Sequence, residues 1–160
     1  MSDRQRVVQF MLDQVGERYQ LGAHGPDDWD CSNLTSAAYR TVGVTISPGS
    51  QQQWTEVMDR RIPRSQIQPG DLVYWGTPGN ATHAGIYVGE GQVVNALNEQ
   101  RGVVKTPLMG QYGVPLLGVA SLLDTDPSPA TPPEPASSSE EPSNPKAQRR
   151  KNRRRKEHRP

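Results

Sequence analysis

Residues 83–97 read HAGIYVGEGQVVNAL. Two short β-rich runs, 83–88 and 92–97, flank Gly89-Glu90-Gly91, which is the composition of a hairpin. Similar runs lie on either side: DLVYW at 71–75 behind Pro69-Gly70, GVVKT at 102–106 and GVASLL at 118–123. Five short strands separated by Gly or Pro predict an antiparallel meander. Upstream the period changes. Val7, Val8, Met11, Leu12 and Val15 recur at three-to-four spacing, which predicts an amphipathic helix over 4–18, ending near Gly16. Residues 19–30 read as a loop around Gly22, Gly25 and Pro26. A second helix is expected over 31–42, with Asp30 as its N-cap, an apolar face of Leu34, Ala37, Ala38 and Val42, and Gly43 as its stop. A short third helix is expected over 51–58 behind Ser50, with Trp54, Val57 and Met58 facing inward. Helices first and a meander second predict an α+β fold of N-terminal helices packed on a sheet of about five strands, not a βαβ repeat.

Composition bounds the rest. The chain has 160 residues, Lys+Arg 18 against Asp+Glu 17, and a net charge of +1. That small sum hides a segregation. Residues 146–160 hold nine Lys/Arg and one Glu, a net of +8, whereas 124–145 hold five acids and no base. Residues 124–160 contain no apolar side chain larger than alanine, so they cannot form a core. The expected organisation is one folded domain at 1–123, a Pro/Ser-rich acidic linker at 124–145 and a basic tail at 146–160, the last two disordered. No run of 18 apolar residues predicts a membrane span. The start, MSDRQRVVQFMLDQ, lacks an apolar stretch of signal-peptide length, so synthesis without a signal peptide is expected. The single cysteine excludes an intrachain disulfide and a Cys-rich zinc site, and His24, His83 and His158 are too scattered for a metal motif.

Cys31 stands at the expected start of a helix, in Trp29-Asp30-Cys31-Ser32-Asn33-Leu34. The positive end of the helix dipole favours thiolate, the reactive form, while the adjacent Asp30 opposes it. The competing reading of a lone free cysteine is a small buried hydrophobe. His83 and Asn95 lie twelve positions apart across the expected turn. With an odd-numbered loop they share a sheet face; with a two-residue turn they do not. On one face, the asparagine would hold the imidazole in one orientation and leave its other nitrogen for a thiol.

Tyr19, Asp30-Cys31-Ser32, Pro69-Gly70-Asp71-Leu72-Val73 and His83-Ala84-Gly85-Ile86-Tyr87-Val88-Gly89 through Asn95 occur in one order. Together they resemble the NlpC-type cell-wall peptidases, papain-like cysteine hydrolases of bacteria and their phages, over roughly residues 5–120. The resemblance implies a papain-like fold with Cys31 as nucleophile, His83 as general base and Asn95 in the third, orienting position. It implies a cleft-lining role for Tyr19, with Asp30 and Ser32 helping to bind the peptide end of the substrate. Asn33 departs from the family's usual glycine, and Leu21-Gly22-Ala23 from its Trp-Gly-Gly.

The implied activity is hydrolysis of amide bonds in peptidoglycan stem peptides, with no metal or organic cofactor. Without a signal peptide, such an enzyme suits a phage lysin or virion component acting at the bacterial wall. Two other readings stand beside it: a thiol amidase or acyltransferase on another substrate, and an inactive wall- or polyanion-binding module. The basic tail reads either as a solubilising end or as an attachment to an anionic polymer, such as wall phosphates or nucleic acid.

Overall fold

The structure is a computed structural model that describes residues 1–124. The expected linker beyond Asp124 and the basic tail lie outside the described residues.

Helix α1 spans Asp3–Gln14. Ser2 caps it: its hydroxyl accepts from the Gln5 N–H at 3.1 Å, and Gln5 Oε1 accepts from the Ser2 N–H at 2.8 Å. Val7 and Met11 bury its apolar face completely. The helix stops earlier than its apolar period suggests, because tertiary pairing takes over. The Gly16 N–H donates to Val103 O at 3.0 Å, and Glu17 O accepts from the Val103 N–H at 2.9 Å. Gly16 meets this bend at φ 100°, a region open to glycine at no steric cost. Two-residue strands β1 (Arg18–Tyr19) and β2 (Asp28–Trp29) then pair in parallel, from the last residue of the expected helix through the stretch expected to be loop.

Helix α2 spans Cys31–Arg40 and α3 spans Ser50–Glu56. Asp30 caps α2 as expected. Ser50 does not cap α3: Gly49 holds that position without a side-chain bond, and Ser50 is the first helical residue. Trp54 and Val57 are buried, but Met58 is exposed, because the chain leaves α3 at Glu56 and a 3₁₀ turn over Met58–Arg60 rotates it outward. Between α2, α3 and the sheet sits Gln53, fully buried and fully bonded. Its amide donates to Ser32 O and Ser47 O, both at 2.9 Å, and its Oε1 accepts from Thr35 at 3.0 Å and Tyr74 at 3.1 Å.

All five expected strands are present: β4 (Leu72–Thr77), β5 (Asn80–Gly89), β6 (Gln92–Asn98), β7 (Gly102–Pro107) and β8 (Leu116–Ala120). A sixth, β3 (Arg61–Ile62), pairs with β8, giving an antiparallel sheet in the order β3-β8-β4-β5-β6-β7. The helices cover one face, over Leu72, Tyr74, Ala84, Ile86, Val94 and Ala96. A smaller cluster of Val73, Trp75, Val93 and Val119 forms on the other. The two ends of the domain meet at Arg4, whose guanidinium reaches Asp71 at 2.7 Å, the Leu123 and Asp124 carbonyls at 2.9 and 2.7 Å, and Pro69 O at 3.0 Å. Among the described residues no helix is long and apolar enough to cross a membrane.

Candidate active site

Cys31 is the first residue of α2, so the thiol sits where the helix leaves backbone N–H groups without intrahelical acceptors. Its placement is held from both sides. Asp30 Oδ1 accepts from the Asn33 N–H at 2.8 Å, and its Oδ2 accepts from the Gly22 N–H at 2.9 Å. The carboxylate therefore ties the loop before β2 to the helix start. Ser32 Oγ accepts from the Gly49 N–H at 3.0 Å and fixes the entry to α3. That entry brings the Ser50 hydroxyl to 3.5 Å from Cys31 Sγ.

His83 comes from β5, directly opposite Trp75 of β4, with ring centroids 5.0 Å apart. Its Nε2 lies 2.7 Å from Asn95 Oδ1. The expected condition for this pairing was an odd-numbered loop, and the turn between β5 and β6 has two residues, Glu90 and Gly91. Both have positive φ, 53° and 74°, as a type I′ turn requires. Parity is restored by an irregularity inside the hairpin. Gly89 pairs with Gln92, but Tyr87 pairs with Val93 and Ile86 with Val94, so one residue of β5 is bulged out. From there odd positions oppose odd positions, and His83 and Asn95 share a face. Gly85 lies between them in register and leaves the space. A Cβ there would sit 3.0 Å from Asn95 Cβ and 2.8 Å from Val93 Cγ1.

The thiol and imidazole interact electrostatically, and each shifts the other. Burial alone pushes the Cys31 thiol up. The His83 hydrogen bond and charge, the Ser50 hydroxyl and the Ala84 backbone together outweigh burial, so the thiol lies below its ordinary value. Burial pushes His83 down, but the bond and charge of Cys31 and the bond to Asn95 leave it raised. Since Nε2 faces Asn95, the nitrogen left for the thiol is Nδ1. Both shifts favour a thiolate–imidazolium pair. Tyr19, half-buried at the end of β1, has its phenol raised by burial and then by the charges of Cys31, Asp30 and Glu99.

Of the residues singled out from sequence, His83 and Asn95 are in direct contact, Cys31 and His83 shift each other's titration, and Tyr19 feels the charge of Cys31. Asp30 and Ser32 are buried and spend their polar atoms on the protein's own backbone. Sequence reasoning missed Ser50 at the thiol, and Thr106, which accepts from Asn95 Nδ2 at 2.9 Å. Neither carries a signal beyond position: a serine before a helix reads as a cap, and a threonine in a strand reads as a β-former. Leu21, where the resemblance departs, is 81% exposed. Among the described residues no group of three or more His, Cys, Asp or Glu side chains is arranged to hold a metal.

A profile of the NlpC/P60 family matches residues 16–117, a span that includes every residue of this cluster. The probable endopeptidase p60 of Listeria grayi is 40% identical over 82 residues, covering 51% of this chain and 16% of that protein. A probable endopeptidase of Corynebacterium glutamicum is 41% identical over 97 residues, covering 61% of this chain and 44% of that protein. The solved structure of the peptidoglycan hydrolase RipB from Mycobacterium tuberculosis is similar at a TM-score of 0.64 and 27% identity, over 77% of this chain and 66% of that one. The matched segment thus spans less than half the length of either curated relative.

Proposed function

The chain belongs to the NlpC/P60 family, and from that premise we propose that its folded part is a cysteine endopeptidase that cleaves peptidoglycan stem peptides. The observation that carries this reading is the His83–Asn95 pair, with Nε2 2.7 Å from Oδ1, beside a Cys31 thiol that His83 holds below its ordinary value. An inert buried cysteine has no need of a hydrogen-bonded imidazole, nor of an asparagine to orient that imidazole. The names of the relatives, endopeptidases and a peptidoglycan hydrolase, supply the substrate class.

In the reaction, Cys31 Sγ as thiolate attacks the amide carbonyl carbon, and the C=O π electrons move to oxygen. The oxyanion meets the N–H groups of the first turn of α2, that of Cys31 among them. As the C–N bond breaks, His83 Nδ1–H gives its proton to the leaving amine. Water then attacks the thioester, with His83 taking a proton from it, and C–S cleavage releases the carboxyl product and restores the thiolate beside the protonated imidazole. Asn95 transfers no proton; it accepts from Nε2–H and keeps Nδ1 aimed at sulfur. Tyr19 lines the cleft beside the thiol. Asp30 and Ser32 act on the substrate side through the loops they anchor.

The domain boundary near residue 123 and the tail belong to the same proposal. The net +8 over 146–160, joined by a Pro/Ser-rich stretch to the folded part, suits electrostatic retention on an anionic wall polymer.

The test is digestion of purified peptidoglycan, with release of new amino termini as the readout. Wild-type protein should release them, Cys31→Ala should not, and Asn95→Ala should lose less activity than His83→Ala. Full activity after stoichiometric alkylation of Cys31 would refute the mechanism. Binding of peptidoglycan with no release by the wild type would instead favour the binding-module reading.

A further inference from the structure

Asn95 is completely buried, and its amide has to be turned one particular way for His83 to work. The orientation is decided by its neighbours. One acceptor facing Nδ2 is Val93 O, 3.3 Å away, and a carbonyl can only accept. The other is Thr106 Oγ1 at 2.9 Å, a much better distance. With Nδ2 committed to these, Oδ1 faces His83, and Nε2 must carry the hydrogen.

Thr106 is itself held. It lies on β7 opposite Val93, and therefore diagonal to Asn95 on the same sheet face. Its Oγ1 also contacts Gln111 Nε2 at 2.8 Å. Whichever way the Gln111 amide is turned, it engages the Thr106 hydroxyl, and Gln111 Oε1 is buried with no hydrogen-bond partner to compete. Gln111 sits in the segment after β7, which is pinned to the site a second time where the Trp75 indole donates to Met109 O at 2.8 Å. Trp75 is the residue against whose ring His83 packs at a 47° tilt.

We propose that Thr106 and Gln111 are positioning residues, which select the His83 tautomer and ring orientation through Asn95 and so couple the 108–114 segment to the thiol–imidazole pair. The inference rests on the reading of Cys31 as nucleophile and His83 as its base, and extends that site inward by two residues. Neither residue touches substrate. Their effect reaches the reaction only through the direction in which Asn95 Oδ1 points.

The experiment uses the full chain, ¹⁵N-labelled, as wild type, Thr106→Val, Thr106→Ser and Gln111→Leu. Long-range ¹H–¹⁵N spectra, taken above the pH at which His83 titrates, report which ring nitrogen holds the hydrogen. Iodoacetamide alkylation of Cys31 across pH reports the pairing of thiol and imidazole. Wild type and Thr106→Ser should hold the hydrogen on Nε2. Thr106→Val, which keeps the shape and removes the acceptor, should mix the tautomers. It should also slow alkylation at neutral pH by roughly tenfold, the scale expected when a catalytic geometry is loosened short of an ångström. The direction follows from losing part of the bond that raises His83: with a less basic imidazole, the thiolate loses its cation. Gln111→Leu, on a partly exposed segment where folding is least at risk, should shift both readouts the same way by less.

A Thr106→Val protein with the wild-type tautomer and alkylation profile overturns the proposal. Should Thr106→Val not fold, an unchanged Gln111→Leu overturns it. Failure of the nucleophile reading would look different: wild-type hydrolysis would survive alkylation, and the His83 spectra would still decide the positioning chain.

Discussion

Replacing Asp30 by alanine separates its two expected roles, as helix cap and as substrate contact. The structure assigns both carboxylate oxygens to backbone: Asn33 N–H at 2.8 Å and Gly22 N–H at 2.9 Å, with the residue 8% exposed. Losing the cap costs about 1 kcal/mol. Gly22 is exposed, so water can take up its N–H, and losing the bond to the charged carboxylate costs about 1.5–2 kcal/mol more. A combined loss of about 3 kcal/mol lowers the melting temperature of a domain this size by about 10 °C. Because the same carboxylate fixes the start of α2, activity should fall mainly through kcat, as the thiol drifts from His83. Asp30→Asn keeps one acceptor oxygen and should lose about half as much stability. Thermal unfolding by circular dichroism, beside kinetics on a soluble stem peptide, reads both effects. An Asp30→Ala protein that melts within about 1 °C of wild type and shows only a raised KM would refute the scaffold argument, since about 3 kcal/mol cannot vanish from the melting curve.

Arg4→Ala leaves Asp71, which is completely buried, facing a lost 2.7 Å partner, and should cost about 3–5 kcal/mol in chemical denaturation. Cys31 lies below and His83 above their ordinary values, so iodoacetamide reactivity should begin at lower pH than for an ordinary cysteine; hydrolysis should fall only as pH rises beyond the usual imidazole range, where His83 loses the proton it gives the leaving amine. A thiol that alkylates with an ordinary cysteine's profile would contradict the pair. A chain ending at residue 126 retains the Leu123 and Asp124 carbonyls that Arg4 holds, so it should keep its fold and its activity on soluble muropeptides. It should lose retention on anionic wall polymers, most of all at low salt where the Debye length exceeds about 8 Å; equal binding by both lengths would leave the tail a solubilising end.

What could be read from the sequence, and what could not, divides along the range of the forces involved. The five strands were legible because each is a β-rich run bounded by Gly or Pro, which are local signals. Strand β3 was not, since two residues of Arg60-Arg61-Ile62-Pro63 carry no period and pair only because β8 offers an edge. The end of α1 was overestimated for the same reason: Val15 continues the apolar pattern, but hydrogen bonds between Gly16, Glu17 and Val103 draw the chain off the helix axis. The site shows this most clearly. Cys31, His83 and Asn95 were each visible as residue types in order, yet whether His83 and Asn95 met depended on parity, which Gly89-Glu90-Gly91 left open. The turn proves to have two residues, and one bulged residue in β5 restores the parity, which no single side chain in HAGIYVGEGQ announces. Gly85 belongs to the motif in sequence, but its physical reason appears only in register, as the missing Cβ that lets Asn95 approach His83. Ser50 and Thr106 are farther still from local reading, because each acts through one atom placed by a different element. A fold can be read from periodicity because burial sums over many residues. The proposed triad depends on single contacts whose partners are separated by 52 positions between Cys31 and His83 and 12 more to Asn95, so one bulge decides what composition leaves open.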